Sequence, residues 1–194
     1  MSDFFKKTDL TRSEAENIIS DTLQKCDDGE LYLENSKSES ILLDDNKIKN
    51  SSYSSDLGYG FRAVTGEVVA YSHSNDISKD SILKSSQNLK DTLKSKKGIY
   101  NHEIPKSNKK YYKDLNPIEE KSQDSKIKIL NEVNNYVRSK GDIVSQVTAN
   151  FLGEHKEIEI IRSNSEVLKD VRPLVRFNVS VVLEKNGKKE TGVY

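Results

Sequence analysis

Cysteine is nearly absent from this 194-residue chain. Cys26 stands alone, so no intrachain disulfide can form, and a reducing compartment is the default setting. Apolar runs are missing too. No apolar stretch of roughly 7–15 residues follows Met1–Lys7, which speaks against a secretory signal. No window approaches the about 18 apolar residues of a membrane-spanning helix. An excess of one charge is the third absence: Lys and Arg number 31 and Asp and Glu number 31. A dedicated nucleic-acid binder would carry a basic surplus. Together these absences point to a cytoplasmic protein with no membrane partner and no nucleic-acid role.

The familiar catalytic signatures are also lacking. There is no Gly-Lys-Ser/Thr phosphate loop, and Gly58-Tyr59-Gly60 has neither the third glycine nor the following helix of a dinucleotide fingerprint. His102-Glu103 is the sole His-Glu pair; a zinc-protease helix needs a second His one helical turn on, but Lys106 and Ser107 follow Pro105 instead. His73 and His155 lie far apart in the sequence and read as surface or packing residues. Cys26 falls on an apolar helical face, where a free thiol behaves as a small hydrophobe.

What remains is a polar chain, 34% hydrophobic and 32% charged, long enough to bury roughly 70% of its unfolded surface. Thr11 to Lys25 reads as a helix. Thr11 with Glu14, or Ser13 with Glu16, offers a capping box, and Ala15, Ile18, Ile19, Thr22, Leu23 and Cys26 fall on one face. Residues 30–73 read as an antiparallel meander of about five strands. They include Leu31 and Leu33, Ile41–Leu43, a weak Lys47–Ser55 run, Gly58–Val64 and Val68–Tyr71, with turns at Asp45-Asn46 and Thr65-Gly66-Glu67.

A second helix, capped by Asp76 or Ser78, runs to about Lys94 on Ile82, Leu83, Ser86, Leu89 and Leu93. Residues 95–115 form a polar linker or surface loop. Asn116-Pro117 signals a third helix to about Lys140, with Ile127, Leu130, Val133 and Val137 as its stripe. A second β block follows. Ile143–Gly153 and Ile158–Ile160 alternate before a Ser163-Asn164-Ser165 turn, and a short Val167–Val171 run stops before Pro173. Val175 to Leu183 alternates most cleanly, and Asn186-Gly187 is a type I′ hairpin signal into Lys188–Tyr194. The fold class is therefore α+β: helices packed on mainly antiparallel meanders, with two β blocks separated by helices and a polar linker.

Two features could carry binding. Arg62, Arg172 and Arg176 sit in β blocks where lysine is otherwise the cation of choice, and a guanidinium fork suits carboxylates. Each is a candidate ligand contact or a structural partner of the acids. Lys109-Lys110-Tyr111-Tyr112-Lys113 could stack on nucleic acid or form a solvated loop. Zero net charge favours the loop.

Several long strings resemble one family. In the first block they are Leu31-Tyr32-Leu33, Ser38-Glu39-Ser40, Tyr53, Gly58-Tyr59-Gly60-Phe61-Arg62-Ala63-Val64-Thr65-Gly66-Glu67 and Tyr71. In the second they are Val144 to Gly153, Asp170-Val171-Arg172-Pro173-Leu174-Val175-Arg176, Val179-Ser180-Val181 and Asn186-Gly187-Lys188-Lys189-Glu190-Thr191-Gly192. These strings resemble the TldD/PmbA metallopeptidases, the TldD branch in particular. The resemblance spans nearly the whole chain and is weakest in 1–20 and 95–125.

The resemblance implies a zinc-dependent cytosolic peptidase acting on peptides or unfolded proteins. It also implies either a PmbA/TldE-type partner that lacks the metal or self-association, and a link to the name modulator of DNA gyrase. The family's metal motif, His-Glu, three residues, then His, belongs to its C-terminal half and does not occur here. No catalytic or metal residue is therefore carried over, and no zinc is expected on this chain alone. The expected layout is a helix–meander–helix block over 1–94, a linker over 95–115 and a helix plus β block over 116–194, cut before the metallopeptidase domain. Such a fragment would shape substrate access and dimer contacts and be inactive by itself. The alternative is a stand-alone, non-catalytic binding module for a partner subunit or a gyrase-linked protein.

Overall fold

A computed structural model describes residues 3–6, 8–94, 111–163 and 166–194. Its element order is α1 (Arg12–Leu23), β1 (Asp28–Asp44), β2 (Lys47–Thr65), β3 (Val68–Ser74), α2 (Lys79–Leu93), α3 (Gln123–Arg138), β4 (Val144–Arg162), β5 (Val167–Lys185) and β6 (Lys188–Val193). The strands form one antiparallel sheet in the order β3-β2-β1-β4-β5-β6. The fold is α+β. The chain divides into two compact units, residues 1–36, 56–112 and 156–171 in the first and 37–55, 113–155 and 172–194 in the second. Each of the four long strands gives one portion to each unit.

The meander of residues 28–74 has three strands, not five. Leu31, Leu33, Ile41 and Leu43 are all fully buried on the single strand β1. Apolar alternation lapses over Glu34–Ser40, so that polar stretch imitates a loop in sequence. Lys47–Ser55 and Gly58–Val64 merge into β2 in the same way. The turns are as the residues indicate. Asp45 and Asn46 have φ of 50° and 66°, and Asn186 and Gly187 have 53° and 76°, the paired positive values of type I′ hairpins.

β5 also runs unbroken through Pro173, where a strand end was expected. Lys185 pairs with Lys188, and Val179 and Tyr194 exchange N–H···O bonds at 2.8 Å, so odd-numbered residues of β5 bond toward β6. Glu184 bonds the other way, its N–H donating to the Ile143 carbonyl at 2.7 Å. By that alternation the N–H missing at Pro173 is not one that β4 would have received, which is how a strand tolerates proline. Val175 is 53% exposed and Phe177, Val179 and Val181 are half-buried, so the clean alternation marks a partly covered face. Of the Ser163-Asn164-Ser165 turn, residues 164 and 165 lie outside the described residues, as do 95–110 of the expected linker.

In the first unit α1 opens on the Thr11–Glu14 capping box: the Glu14 N–H donates to Thr11 Oγ1 at 3.3 Å and the Thr11 N–H to Glu14 Oε2 at 2.9 Å. Ala15, Ile19 and Leu23 pack with Ile82, Leu89 and Leu93 of α2 and with Leu31, Leu33 and Phe61. Ser86 is buried as the stripe indicates, but Leu83, expected on the inner face, is 43% exposed, and Ser85 is buried instead. Both serines are used: Thr22 and Ser86 hydroxyls meet at 2.6 Å, and the Tyr59 hydroxyl lies 2.7 Å from that of Ser85. Glu159, fully buried on β4, is gripped by both guanidinium nitrogens of Arg12 and by Lys169 Nζ at 3.2 Å. The Arg12 guanidinium also lies over the Phe5 ring at 5.4 Å.

The second unit has a smaller core of Ile41, Leu43, Leu130 and Ala149, flanked by Ile127, Phe151, Phe177 and Val179. Its helix starts six residues later than Asn116-Pro117 indicates. Asn116 Oδ1 instead accepts the Ile118 N–H at 3.0 Å in an isolated turn, and Ser122 caps α3 by accepting from the Ser125 N–H. Lys126 of α3 reaches back to that turn. Its ammonium is buried, donates to the Ile118 carbonyl at 2.6 Å, and is ion-paired with Glu39 of β1. A carbonyl held by that ammonium ends a turn rather than extending a helix. The buried residues of α3 are thus Lys126, Leu130 and Asn134, a partly polar line beside the expected apolar stripe. Asn134 Nδ2 donates to Asn46 Oδ1 at 2.5 Å and Arg138 pairs with Asp45, fastening the end of α3 to the β1–β2 turn.

Two outcomes are expected. The Lys79 ammonium and the Thr11 backbone and hydroxyl donors hold the Glu14 carboxyl down at about 2. A depressed carboxyl stabilises the fold above its ordinary range and loses that effect as pH falls, so the loss runs from about pH 4.5 to about pH 2. Glu14→Gln should flatten the fall in Tm across that window relative to the parent chain, as read by circular dichroism. Lys126→Met leaves Glu39 without its cation and should cost about 3–5 kcal/mol in urea unfolding, whereas Lys126→Met with Glu39→Leu should recover most of it.

Candidate functional site

The second unit brings together three of the strings singled out in the sequence. Ser38, Glu39 and Ser40 of β1, Leu152, Gly153 and Glu154 of β4, and Leu174 and Arg176 of β5, with Ser52 of β2, line one cavity of about 260 Å3. These strands are neighbours in the order β2-β1-β4-β5, so the groove crosses four of them. Successive side chains of a strand face opposite ways. Glu39 turns toward Lys126 of α3, so Ser38 and Ser40 turn away from that helix.

The groove's chemistry is a polar floor with one strong cation. Ser38 and Ser54 hydroxyls lie 2.9 Å apart, and the Ser40 hydroxyl lies 3.5 Å from Asn150 Oδ1. Arg176 is exposed. Its Nε donates to Asn178 Oδ1 at 3.1 Å, which orients a guanidinium whose terminal nitrogens can take a carboxylate or a backbone carbonyl. Leu174, 59% exposed, adds an apolar rim. A Cβ at Gly153 would stand 3.3 Å from the Phe151 ring and 3.4 Å from Ile118 Cγ1, a tight fit to which the ring would have to yield by a few tenths of an ångström. On the α3 side, Pro117, Ile129, Phe151, Val175 and Phe177 surround a second, apolar cavity of about 260 Å3 with Lys126 at its wall. The Lys126 ammonium lies over the Phe151 ring at 5.4 Å.

The three candidate arginines have different places. Arg62 belongs to the first unit, where Nη2 donates to Asp28 Oδ2 at 2.8 Å and Nε to Glu30 Oε1 at 3.3 Å, so its fork is given to structural ion pairs. Arg172 is exposed on β5. Arg176 alone of the three lines the groove. Of the basic-aromatic cluster, Lys109 and Lys110 lie outside the described residues, and Tyr111 is 77% exposed. His102 also lies outside them, while His73 stacks on Tyr71 with ring centroids 5.7 Å apart. Among the described residues no three His, Cys, Asp or Glu side chains gather in a metal-holding group, so they do not fit a zinc ion. No helix among them is long and apolar enough to cross a membrane.

Sequence reasoning missed Lys126 as a site-forming residue. A lysine in a first helical turn looks solvated, and the available signal was its i, i+4 spacing with Leu130 and Asn134.

Comparison with known proteins identifies a family. Residues 29–94 match PmbA/TldA metallopeptidase domain 1, and residues 116–194 match the PmbA/TldA metallopeptidase central domain. The chain is 34% identical over 167 residues to the metalloprotease TldD homolog of Buchnera aphidicola from Schizaphis graminum, covering 86% of this chain and 35% of that protein. It is 31% identical over 172 residues to the homolog of Haemophilus influenzae, with the same coverages. The chain thus spans about a third of the length of these relatives. Among solved structures, TldE from Thermococcus kodakarensis superposes with a TM-score of 0.69 at 14% identity, covering 92% of this chain and 42% of that one. A candidate modulator of DNA gyrase from Thermotoga maritima gives 0.72 at 11% identity, covering 86% and 38%. At those identities the likeness is one of fold. With two consecutive domain matches and relatives a third identical along most of its length, the chain belongs to the PmbA/TldD metallopeptidase family.

Proposed function

We propose that this chain is the substrate-admitting part of a TldD-type zinc metallopeptidase. It holds an extended peptide in the groove of Ser38–Ser40, Leu152–Glu154 and Arg176, while a zinc centre carried by other residues of the longer protein cleaves it. The observation that carries this reading is the convergence of three separated family-like strings on one groove beside an exposed, oriented guanidinium. A peptide bond is hydrolysed at zinc only where ligands fix the ion and a base takes a proton from its bound water. Among the described residues no metal-holding group gathers, and the side chains of the groove are suited to a different task. Hydroxyls and a guanidinium can grip backbone carbonyls and acidic side chains, and extended peptides are bound mostly through such groups.

On this reading the chain alone is inactive, works in the cytoplasm, and contributes contacts to a dimer with itself or with a TldE-type subunit. The kinship in fold with TldE supports the last point.

The test has two arms. The 194-residue chain, supplied with zinc, should release no product from unstructured peptides, whereas the full-length protein should hydrolyse them and lose that activity to a chelator. In the full-length protein Arg176→Gln should raise KM for acidic peptides about tenfold, in line with the loss of a charged hydrogen bond, and leave kcat unchanged. Chelator-sensitive turnover by the chain alone, or an unaltered KM in the variant, would defeat the proposal.

A further inference from the structure

The two faces of the sheet in the first unit differ. Leu31, Leu33 and Phe61 pack with α1 and α2 on one face. Alternate positions of the same strands face the other way. Gly60 stands opposite His73 and Arg62 opposite Tyr71, while Arg62 holds Asp28 and Glu30 of β1. By that alternation Tyr32 and Glu34 of β1 and Asp56 and Gly58 of β2 share the second face with Tyr71 and His73. These residues line a cavity of about 270 Å3. Glycine makes the hollow. A Cβ at Gly60 would stand 2.6 Å from the Tyr71 hydroxyl, and one at Gly58 would stand 2.9 Å from the Ser74 carbonyl oxygen. The Tyr71 ring thus reaches over backbone that any other residue would cover.

Sites for whole small molecules begin at about 300 Å3, so this volume suits a single side chain. Two features say which kind. The first is an aromatic wall. The Tyr71 and His73 rings stack with centroids 5.7 Å apart and planes 26° apart, and Tyr71 is 63% exposed. The second is charge. Glu34 and Asp56 line the cavity, and among the described residues no lysine or arginine does. Two cations of the unit are already engaged: Lys156 Nζ lies 3.6 Å from Glu34 Oε1, and Arg62 is held by Asp28 and Glu30. Glu34 also accepts from the Tyr32 hydroxyl, which fixes that wall. Asp56 is exposed, and no ion pair among the described residues engages it, so it carries the charge left unanswered. A basic side chain meets both features, because its apolar stem packs on rings while its head reaches a carboxylate.

We propose that this cavity receives the basic side chain of a polypeptide, an arginine or a lysine, with its aliphatic stem against the Tyr71–His73 stack and its charge answered by Asp56. The site belongs to the first unit and does not depend on the reading of the peptide groove. Guanidinium and ammonium heads share the chemistry, and two probes separate them.

The isotope-labelled 194-residue chain is titrated with acetyl-Gly-Arg-Gly-amide, acetyl-Gly-Lys-Gly-amide and the neutral acetyl-Gly-norleucine-Gly-amide, at ionic strength held constant with sodium chloride. The backbone amide resonances of Gly58, Gly60 and His73 are followed by NMR. At least one basic probe should move them along a saturable curve, and the tighter of the two names the head group. The norleucine probe should not move them. Asp56→Asn should weaken the effective probe's Kd about tenfold, as loss of a charged hydrogen bond does. Tyr71→Ser should weaken it about threefold, the size of an exposed cation–π contact. Both side chains are exposed, so the variants keep the fold, which the rest of each spectrum verifies. No saturable shift with either basic probe, an equal response to norleucine, or an unchanged Kd in either variant would each overturn the proposal.

Discussion

A charge taken out of water must be answered by a partner within reach, and two of the three buried among the described residues, the deepest two, tie a helix to a strand. Glu159 is fully buried and Lys126 is 4% exposed. An unpaired charge at either place would cost several kcal/mol, so folding has to bring up Arg12 for the first and Glu39 for the second. The partners are 147 and 87 residues away in sequence. In each unit the pair joins a helix to a strand. Arg12 opens α1 and Glu159 lies on β4; Lys126 opens α3 and Glu39 lies on β1. Only 34% of the residues are hydrophobic, and among the described residues the second unit has five fully buried apolar side chains, Ile41, Leu43, Leu130, Val147 and Ala149. Apolar packing favours collapse there but says little about register, and the ion pair supplies the missing specification.

Register decides which residues the groove receives. A strand shifted by one residue turns every side chain to the other face. With Glu39 held by Lys126, Ser38 and Ser40 must face away from α3, where the groove with Leu174 and Arg176 opens. The middle of β1, Glu34–Ser40, has no buried apolar residue of its own to enforce that choice. The same ammonium takes the Ile118 carbonyl and lies over Phe151, and both residues crowd the place a Cβ on Gly153 would occupy. The candidate peptide surface and the buried pair are thus two faces of one strand arrangement.

Much of this was legible in the sequence because it is local. Thr11 with Glu14, Asp45-Asn46 and Asn186-Gly187 dictate backbone geometry within four residues, and each does so in the structure. The family strings were legible for the same reason, being contiguous. Strand continuity was not. Ser36–Ser40 and Lys47–Ser55 carry no apolar alternation, so nothing in them says that β1 and β2 pass straight through. Asn116-Pro117 is a sound capping signal that here caps an isolated turn, whose Ile118 carbonyl is taken by the Lys126 ammonium. Arg62, Arg172 and Arg176 look alike in sequence. Only the sheet shows that Arg62 is given to Asp28 and Glu30 and that Arg176 lines the groove.

Native-state hydrogen exchange on Glu39→Gln tests the central claim most directly, because it reads residue by residue whether the buried pair sets the strands of the second unit. The account predicts that amides of 37–44 and 144–155 lose protection at least tenfold while those of 28–33 keep theirs. Unchanged protection over 37–44, or an equal loss over 28–33, would contradict it.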